Sequence, residues 1–189
     1  MIRIAILGDI GAGKSYIAKN FGYPVFNADK EVSFLYKKNR KIFTRLNKEL
    51  PKYIFSFPID KKQIINAILA NNSNLKKIVK IVHIEVKKKM KLFLKKNRKK
   101  KIIILDIPLL LENNIYKKKD ILLFVEAKKK DIFKRLKTRK NYNPRLLKKF
   151  REIQLPLEFK KKKSTFLIKN KFTKKNAKIN ISKILKKIL

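Results

Sequence analysis

The sequence has no cysteine and no tryptophan, and only 4 of its 189 residues are glycine. Without cysteine, the fold can contain neither a disulfide nor a thiolate metal site. No apolar run approaches the roughly 18 residues that a membrane-spanning helix needs. The first residues also lack the basic-then-apolar layout of a secretion signal. We therefore expect a cytoplasmic protein that has one compact domain and no membrane association.

Acidic residues are scarce as well, since 13 Asp and Glu stand against 53 Lys and Arg and give a formal net charge of +40. A charge of this size would suit a protein that binds nucleic acid. However, only 8 of the basic residues are arginine, the residue whose bidentate fork reads bases. The lysines are spread along the whole chain, which indicates a solvated surface. We expect no specific nucleic-acid partner.

Five short apolar runs alternate with helical patterns, which predicts a mainly parallel five-stranded sheet with helices on both faces. The predicted strands cover residues 2–7, 25–26, 102–105, 121–125 and 165–168. The predicted helices beside them cover residues 14–21, 127–138, 144–159 and 174–188. In the last helix, most of Ile179, Ile181, Ile184, Leu185 and Ile188 should face the sheet. The fold class is thus a three-layer α/β architecture.

The stretch from about 30 to 100 carries no strand signal and is too long for a loop in a compact domain. Its apolar residues recur at spacings of three and four, as at Ile64 and Ile68 and again at Val82 and Val86. This periodicity is typical of amphipathic helices. We therefore expect a helical lobe inserted between the second and third strands.

Three of the four glycines fall within six residues, at positions 8, 11 and 13, and Lys14 and Ser15 follow directly. The pattern Gly-x4-Gly-Lys-Ser between a strand and a helix is typical of a phosphate-binding loop. In such a loop, backbone N–H groups turn inward around a phosphate. The lysine reaches the β- and γ-phosphates, and the hydroxyl binds Mg²⁺. The loop predicts an enzyme that uses Mg²⁺ and ATP for phosphoryl transfer.

Two acidic residues follow predicted strands, Asp29 after the second and Asp106 after the third. Ligands of open parallel sheets bind beyond the carboxyl ends of the strands. An acid there could accept a proton from an attacking hydroxyl or hold Mg²⁺ through water. Asp29 also precedes a helical pattern, so the residues alone leave open whether it is a base or a helix N-cap. We expect Asp106 to be associated with Mg²⁺.

Arg135 and Arg139 lie one helical turn apart in a chain where lysine dominates. Arginine at this position indicates a bidentate phosphate contact, for which Arg139 is the stronger candidate. The alternative is positive charge that suits the carboxyl end of a helix. The one histidine, His83, lies on an apolar helix pattern, where a packed or surface residue is more common than a catalyst.

Further segments show that the chain resembles the dephospho-coenzyme A kinase family. Besides the phosphate loop, these segments are Phe26-Asn27-Ala28-Asp29, Asp106-Ile107-Pro108-Leu109-Leu110-Leu111-Glu112, Arg135-Leu136-Lys137-Thr138-Arg139 and Arg151-Glu152-Ile153-Gln154-Leu155-Pro156. Their order and spacing agree with the family over nearly the whole chain. The resemblance implies transfer of the ATP γ-phosphate to the ribose 3′-hydroxyl of dephospho-CoA, which gives CoA and ADP.

The resemblance also implies roles for individual residues. Asp29 is the general base, Lys14 and Arg139 stabilise the transferred phosphate, and Asn170 lies near the adenine. The nucleotide contacts are Gly11, Ala12, Gly13, Lys14, Ser15, Tyr16, Arg139 and Asn170. The substrate contacts are Asp29, His83, Pro108, Leu109 and Glu112. Mg²⁺ is held by Ser15 and by Asp106, the latter directly or through water.

A single P-loop kinase domain with three parts is the organisation that the resemblance implies. The core covers 1–29, 100–127 and 164–189, the helical substrate lobe covers 30–99, and the lid region covers 128–163. We expect a monomer or a weak homo-oligomer. Two alternatives stay open: another small-molecule or nucleotide kinase on the same scaffold, and a basic RNA-binding protein with a vestigial phosphate loop.

Two departures from the family pattern concern the nucleotide site. Asp9 replaces a glycine of the usual loop, so we expect its negative charge near the phosphates to weaken ATP binding. Lys171 and Phe172 stand where a glycine usually follows Asn170, which predicts altered contacts with the adenine.

Overall fold

The protein was analysed as a computed structural model, which describes residues 1–140 and 142–189. The strands are β1 (Ile2–Gly8), β2 (Val25–Asn27), β3 (Ile102–Asp106), β4 (Ile121–Glu126) and β5 (Phe166–Lys169). The helices are α1 (Lys14–Asn20), α2 (Ala28–Lys38), α3 (Arg40–Glu49), α4 (Lys61–Ala70), α5 (Asn72–Lys96), α6 (Lys129–Lys137), α7 (Pro144–Glu152), α8 (Leu157–Lys162) and α9 (Lys174–Ile188).

The five strands form one sheet in the order β2-β3-β1-β4-β5, and every neighbouring pair is parallel. All five residues of β3 are buried, as are six of the seven residues of β1. Burial on both faces explains why these strands are continuous apolar runs rather than alternating ones. The predicted α/β class and the five strands are confirmed, and the sheet is parallel throughout.

The chain divides into two compact units. The first contains Met1–Asn27, Asn97–Tyr142 and Gln154–Leu189, and the second contains Ala28–Lys96 and Asn143–Ile153. The first unit carries the sheet with α1, α6, α8 and α9, and the second carries α2 to α5 together with α7. The functional division into core, substrate lobe and lid stays a prediction.

The helix predicted over 144–159 is two helices, α7 and α8. Its predicted start is correct, because the Asn143 side chain accepts a hydrogen bond from the Leu146 N–H and Pro144 takes the first helical position. The break comes at Pro156, which is the N-cap residue of α8. Proline has no N–H to donate, its ring clashes with the carbonyl four residues earlier, and it disfavours helical backbone at the residue before it. The single long helix is therefore a wrong prediction.

The closing helix α9 buries Ala177, Ile181 and Ile184, whereas Ile179 is 46% exposed. Spacings of four and three keep the buried residues on one face, and a residue two positions from Ala177 lies on the opposite side of the helix. The prediction is confirmed for Ile181 and Ile184 and is wrong for Ile179.

In the second unit, helices α2 to α5 bury a regular set of aliphatic side chains, among them Leu35, Leu46, Ile68, Val82 and Val86. The helical character predicted for the long segment is confirmed. Its longest helix, α5, has 25 residues but carries many lysines. Within residues 1–140 and 142–189, no helix combines the length and apolarity that a membrane crossing requires.

Candidate active site

The phosphate loop connects β1 to α1, the predicted strand-loop-helix context. β1 lies in the middle of the sheet, between β3 and β4. At its end, Gly8 has a φ of +140°, and a Cβ there would lie 2.4 Å from the carbonyl oxygen of Val125 in β4. Only glycine permits this approach of two strands, so the end of β1 and the start of the loop are fixed by the sheet.

The ammonium of Lys14 lies over the loop. Its Nζ donates to the carbonyl oxygens of Gly8 at 3.0 Å and Asp9 at 2.8 Å. In the part of the chain that the structure describes, the N–H groups of Gly11, Gly13 and Ser15 donate to no protein acceptor. The Ala12 N–H donates within the loop, to the Asp9 carbonyl at 3.2 Å. The loop thus presents a cation and backbone donors to an anion.

One side-chain oxygen of Asp9 bonds the loop's own backbone: Oδ1 accepts a hydrogen bond from the Ile10 N–H at 2.7 Å. This bond holds the Asp9 side chain against the loop backbone. The expected weakening of ATP binding by Asp9 stays a prediction.

A buried carboxylate stands at the carboxyl edge of the sheet beside β1. Asp106 ends β3, is only 3% exposed, and lies in register with Asn27 at the end of β2. The Asn27 side-chain amide donates to Asp106 Oδ2 at 2.5 Å. Because β3 pairs directly with β1, the backbone holds this carboxylate at the edge where the phosphate loop begins.

The oxygen donors of Ser15 and Asp106 are of the hard type that Mg²⁺ prefers. Among the described residues, no group of three or more His, Asp or Glu side chains gathers into a metal site. Such a sparse donor set suits Mg²⁺, which usually takes one or two protein ligands and completes its shell with phosphate and water.

Asn170 follows β5 and is 4% exposed. Its side-chain Nδ2 donates to the Ala12 carbonyl at 2.8 Å, and its Oδ1 accepts from the Phe172 N–H at 2.9 Å. The observed partners of Asn170 are therefore backbone groups, one of them in the phosphate loop. The adenine contact implied by the resemblance stays a prediction.

The two arginines near the end of α6 differ in their surroundings. The Arg135 guanidinium lies 4.4 Å from the centre of the Phe172 ring, a cation–π distance. Arg139 is exposed and lies beyond the last residue of α6. Phe172 has a φ of +60°, a conformation that glycine adopts without strain. Sequence reasoning missed the Arg135–Phe172 pair.

Glu112, a predicted substrate contact, belongs to a buried ion pair. Glu112 Oε1 lies 2.6 Å from Nζ of Lys160, and Lys160 is only 1% exposed. The same Oε1 accepts a hydrogen bond from the Leu155 N–H at 3.0 Å. Lys160 Nζ also donates to Gln154 Oε1 at 3.1 Å. Sequence reasoning did not single out Lys160, because it stands in a run of four lysines.

Other predicted nucleotide and substrate contacts of the first unit lie at its surface. Pro108 and Leu109 are partly exposed in the turns after β3, and Tyr16 is 39% exposed on α1. Exposure leaves these side chains accessible to a ligand but assigns them no role.

In the second unit, Asp29 is the second residue of α2 and is exposed. It therefore lies inside the first helical turn and is not the residue that precedes the helix, as an N-cap must be. This position speaks against the N-cap alternative. A negative charge in the first turn is still favourable to the helix.

His83 is partly buried on α5 in the same unit. Its Nε2 is buried and has no hydrogen-bond partner in the described chain. Burial, and secondarily the positive charge of Lys87, lower the pKa of His83. Both effects favour the neutral imidazole.

Comparison with known proteins decides the family. A family model described as dephospho-CoA kinase matches residues 2–176. The chain belongs to the dephospho-CoA kinase family. It is 34% identical over 176 residues to the dephospho-CoA kinase of Wolbachia pipientis wMel, and the match covers 90% of each chain. It is 30% identical over 179 residues to that of Aquifex aeolicus, covering 90% of this chain and 89% of the other. As a member of a kinase family, the protein uses ATP and acts on a small molecule.

Solved structures show the same fold. A Thermus thermophilus protein, TT1252, superposes with a TM-score of 0.78 at 24% identity, covering 100% of this chain and 97% of the other. The dephospho-CoA kinase from Campylobacter jejuni gives 0.63 at 20% identity, covering 98% and 96%. A shikimate kinase from Acinetobacter baumannii gives 0.54 at 14% identity, covering 100% and 93%. The fold is that of P-loop kinases.

Proposed function

We propose that this protein transfers the γ-phosphate of ATP to the ribose 3′-hydroxyl of dephospho-CoA and releases CoA and ADP, the last step of coenzyme A biosynthesis. The observation that carries the proposal is the phosphate loop, where the Lys14 ammonium lies over a loop whose Gly11, Gly13 and Ser15 N–H groups have no acceptor in the described chain. Membership of the family supports the choice of acceptor.

Charge stabilisation is the main task of the first unit in this reaction. The backbone N–H groups of Gly11, Gly13 and Ser15 and the Lys14 ammonium bind the β- and γ-phosphates. Arg139 adds a second positive charge. Donors already in place when charge spreads over the transferred group lower the barrier without reorganisation. Ser15 and Asp106 would hold Mg²⁺, which neutralises charge on the phosphate oxygens when bound.

Asp29 accepts the proton of the attacking 3′-hydroxyl. An exposed carboxylate in the first turn of α2, directly after β2, supports this role. With His83, Pro108, Leu109 and Glu112 it contributes to binding dephospho-CoA. The neutral imidazole of His83 offers one N–H donor and one acceptor nitrogen there.

Asn170 and Tyr16 complete the proposed nucleotide contacts, with Asn170 near the adenine. We further propose that the protein acts in the cytoplasm as a monomer or weak homo-oligomer, and that residues 128–163 act as a lid over the core. Its net charge of +40 attracts polyanionic small molecules and does not require a specific nucleic-acid partner.

The test is ADP formation by the purified protein with Mg·ATP and a panel of acceptors. We expect ADP release with dephospho-CoA at a rate well above that with nucleoside monophosphates or shikimate. Activity with another acceptor alone would show that dephospho-CoA is the wrong acceptor, but the protein would still be a kinase. Tight, salt-dependent RNA binding without nucleotide turnover would favour the vestigial-loop alternative.

A further inference from the structure

The side chain of Asn170 is fixed in orientation by its partners. Nδ2 donates to the Ala12 carbonyl, and Oδ1 accepts from the Phe172 N–H. If the two atoms were exchanged, Oδ1 would face the Ala12 carbonyl and Nδ2 would face the Phe172 N–H, and neither pair can form a hydrogen bond. Only one orientation therefore satisfies both bonds. The backbone N–H of Asn170 donates to the Glu126 carbonyl at 2.7 Å. Three hydrogen bonds therefore fix this buried residue, and one of them goes to the phosphate loop.

The Ala12 carbonyl and the Gly13 N–H belong to one peptide unit. In a trans peptide these two groups point in opposite directions. A side-chain amide that draws the Ala12 oxygen toward Asn170 therefore turns the Gly13 N–H away from Asn170. That N–H donates to no acceptor in the described part of the protein, so it is available to a bound anion.

Gly13 and Asn170 also fit together sterically. Gly13 has a φ of +93°, and a Cβ there would lie 2.3 Å from Asn170 Nδ2 and 3.1 Å from Phe172 Cε1. The first distance is below any normal contact, so Asn170 occupies the volume that a side chain at position 13 would need. Two features therefore require glycine at position 13: the Asn170 side chain, which leaves no room for a Cβ, and the positive φ of the residue itself.

We propose that Asn170 is a positioning residue for the phosphate loop, whose side-chain amide sets the direction of the Gly13 N–H. The proposal rests on the proposed function in one respect, that this loop binds the phosphates of ATP. It gives Asn170 a task that is independent of the adenine. Replacing the amide should therefore weaken binding of a phosphate chain that carries no base at all.

Asn170→Asp is the sharpest variant. It keeps the shape of the side chain and the acceptor for Phe172, but it places a carboxylate oxygen against the Ala12 carbonyl. A lost hydrogen bond and a new repulsion in a buried site should lower the affinity for inorganic tripolyphosphate by about 10- to 100-fold. Isothermal titration with tripolyphosphate and with ATP measures the effect.

Asn180→Asp is the matched control. Asn180 lies in the same unit on α9, and its Nδ2 also donates to a backbone carbonyl, that of Asn176 at 2.8 Å. The same chemical change there should leave tripolyphosphate affinity within about twofold of wild type, since the Asn180 side chain bonds a carbonyl of its own helix rather than one of the phosphate loop. If Asn170→Asp does not fold, Asn170→Ala removes the donor without the repulsion and should still lower the affinity several-fold.

Parallel losses for tripolyphosphate and ATP in the Asn170 variants would support the positioning role. An unchanged tripolyphosphate affinity would overturn it, whether or not ATP binding falls, because the residue would then act through the base or not at all. Wild-type protein that binds no tripolyphosphate would overturn it too. Turnover of dephospho-CoA is measured separately, so a wrong acceptor would leave this result intact.

Discussion

The phosphate loop in the first unit and the helices of the second unit are built on different principles. In the loop, close contacts leave room for only one residue type at certain positions. A Cβ at position 8 would clash with the Val125 carbonyl, and a Cβ at position 13 would clash with the Asn170 side chain. In the second unit, helices α2 to α5 bury mostly aliphatic side chains at spacings of three and four, with the polar Gln63 and Asn74 among them. Function should therefore depend on individual residues in the loop and on overall pattern in the helices.

Lys14→Ala should give the largest effect, and it tests whether activity depends on a single residue of the phosphate loop. It removes the cation that lies over the loop, and loss of one transition-state charge contact commonly costs 10²- to 10³-fold in rate. We expect kcat/KM for ATP to fall by about 10³-fold in an ADP-release assay. Lys19→Ala, at an exposed position in the last turn of α1, should keep the wild-type rate. Equal rates for both variants would contradict the proposed role of the loop.

Asp29→Asn tests the one position in the second unit where we expect the chemistry to depend on a single residue. Removing a general base should lower kcat by about 10²-fold or more. Glu31→Gln provides the control, because Glu31 is the other acid in the first turn of α2. A turnover number within about threefold of wild type for Asp29→Asn would show that another group accepts the proton.

Two ion pairs extend the comparison from activity to stability. Lys160 pairs with Glu112 in the buried interior of the first unit, whereas Lys77 pairs with Glu49 at 3.3 Å on the surface of the second, with both side chains nearly half exposed. Breaking a buried pair leaves an uncompensated charge and costs about 3–5 kcal/mol, whereas an exposed pair contributes about 0–1 kcal/mol.

We therefore expect Lys160→Met to lower Tm by about 6–20 °C and Lys77→Met by less than about 4 °C, from the usual 2–4 °C per kcal/mol at this size. Thermal unfolding followed by circular dichroism measures both. Equal shifts would show that burial does not separate the two regions in this way.

The smallest expected effect concerns His83. Burial, and to a smaller extent the charge of Lys87, lower the pKa of His83 in the folded protein. At pH values below about 6.5, the ordinary pKa of histidine, the unfolded chain therefore binds more protons than the folded protein. The free energy of unfolding should accordingly fall as pH drops below that value. His83→Gln should reduce the fall, as measured by urea denaturation at pH 7.5 and 5.5. An identical pH dependence in both proteins would remove His83 as a contributor.

The sequence predicted what depends on local pattern. Clustered glycines located the loop, buried apolar runs located the strands, and Asn143 with Pro144 located the start of α7. Pairings between distant residues were not predictable. Nothing in a run of four lysines marks Lys160 as the partner of Glu112, and neither the Asn170 contact with Ala12 nor the stacking of Arg135 on Phe172 follows from spacing.

One error and one choice that the sequence left open have local explanations. Pro156 ends one helix and starts another, although the apolar pattern continues through it, so periodicity outweighed backbone chemistry in the prediction. The choice between base and N-cap for Asp29 depended on the first residue of α2, and the limits of a helix are hard to fix from sequence.

The most direct test of the account is to follow the phosphorus atom. Purified protein is incubated with Mg·ATP and dephospho-CoA, and the products are identified by ³¹P NMR and mass spectrometry. We predict ADP and CoA in equal amounts, with the new phosphate as a monoester on the ribose 3′-oxygen. Release of inorganic phosphate without CoA, or a phosphate on any other oxygen, would contradict the proposed function.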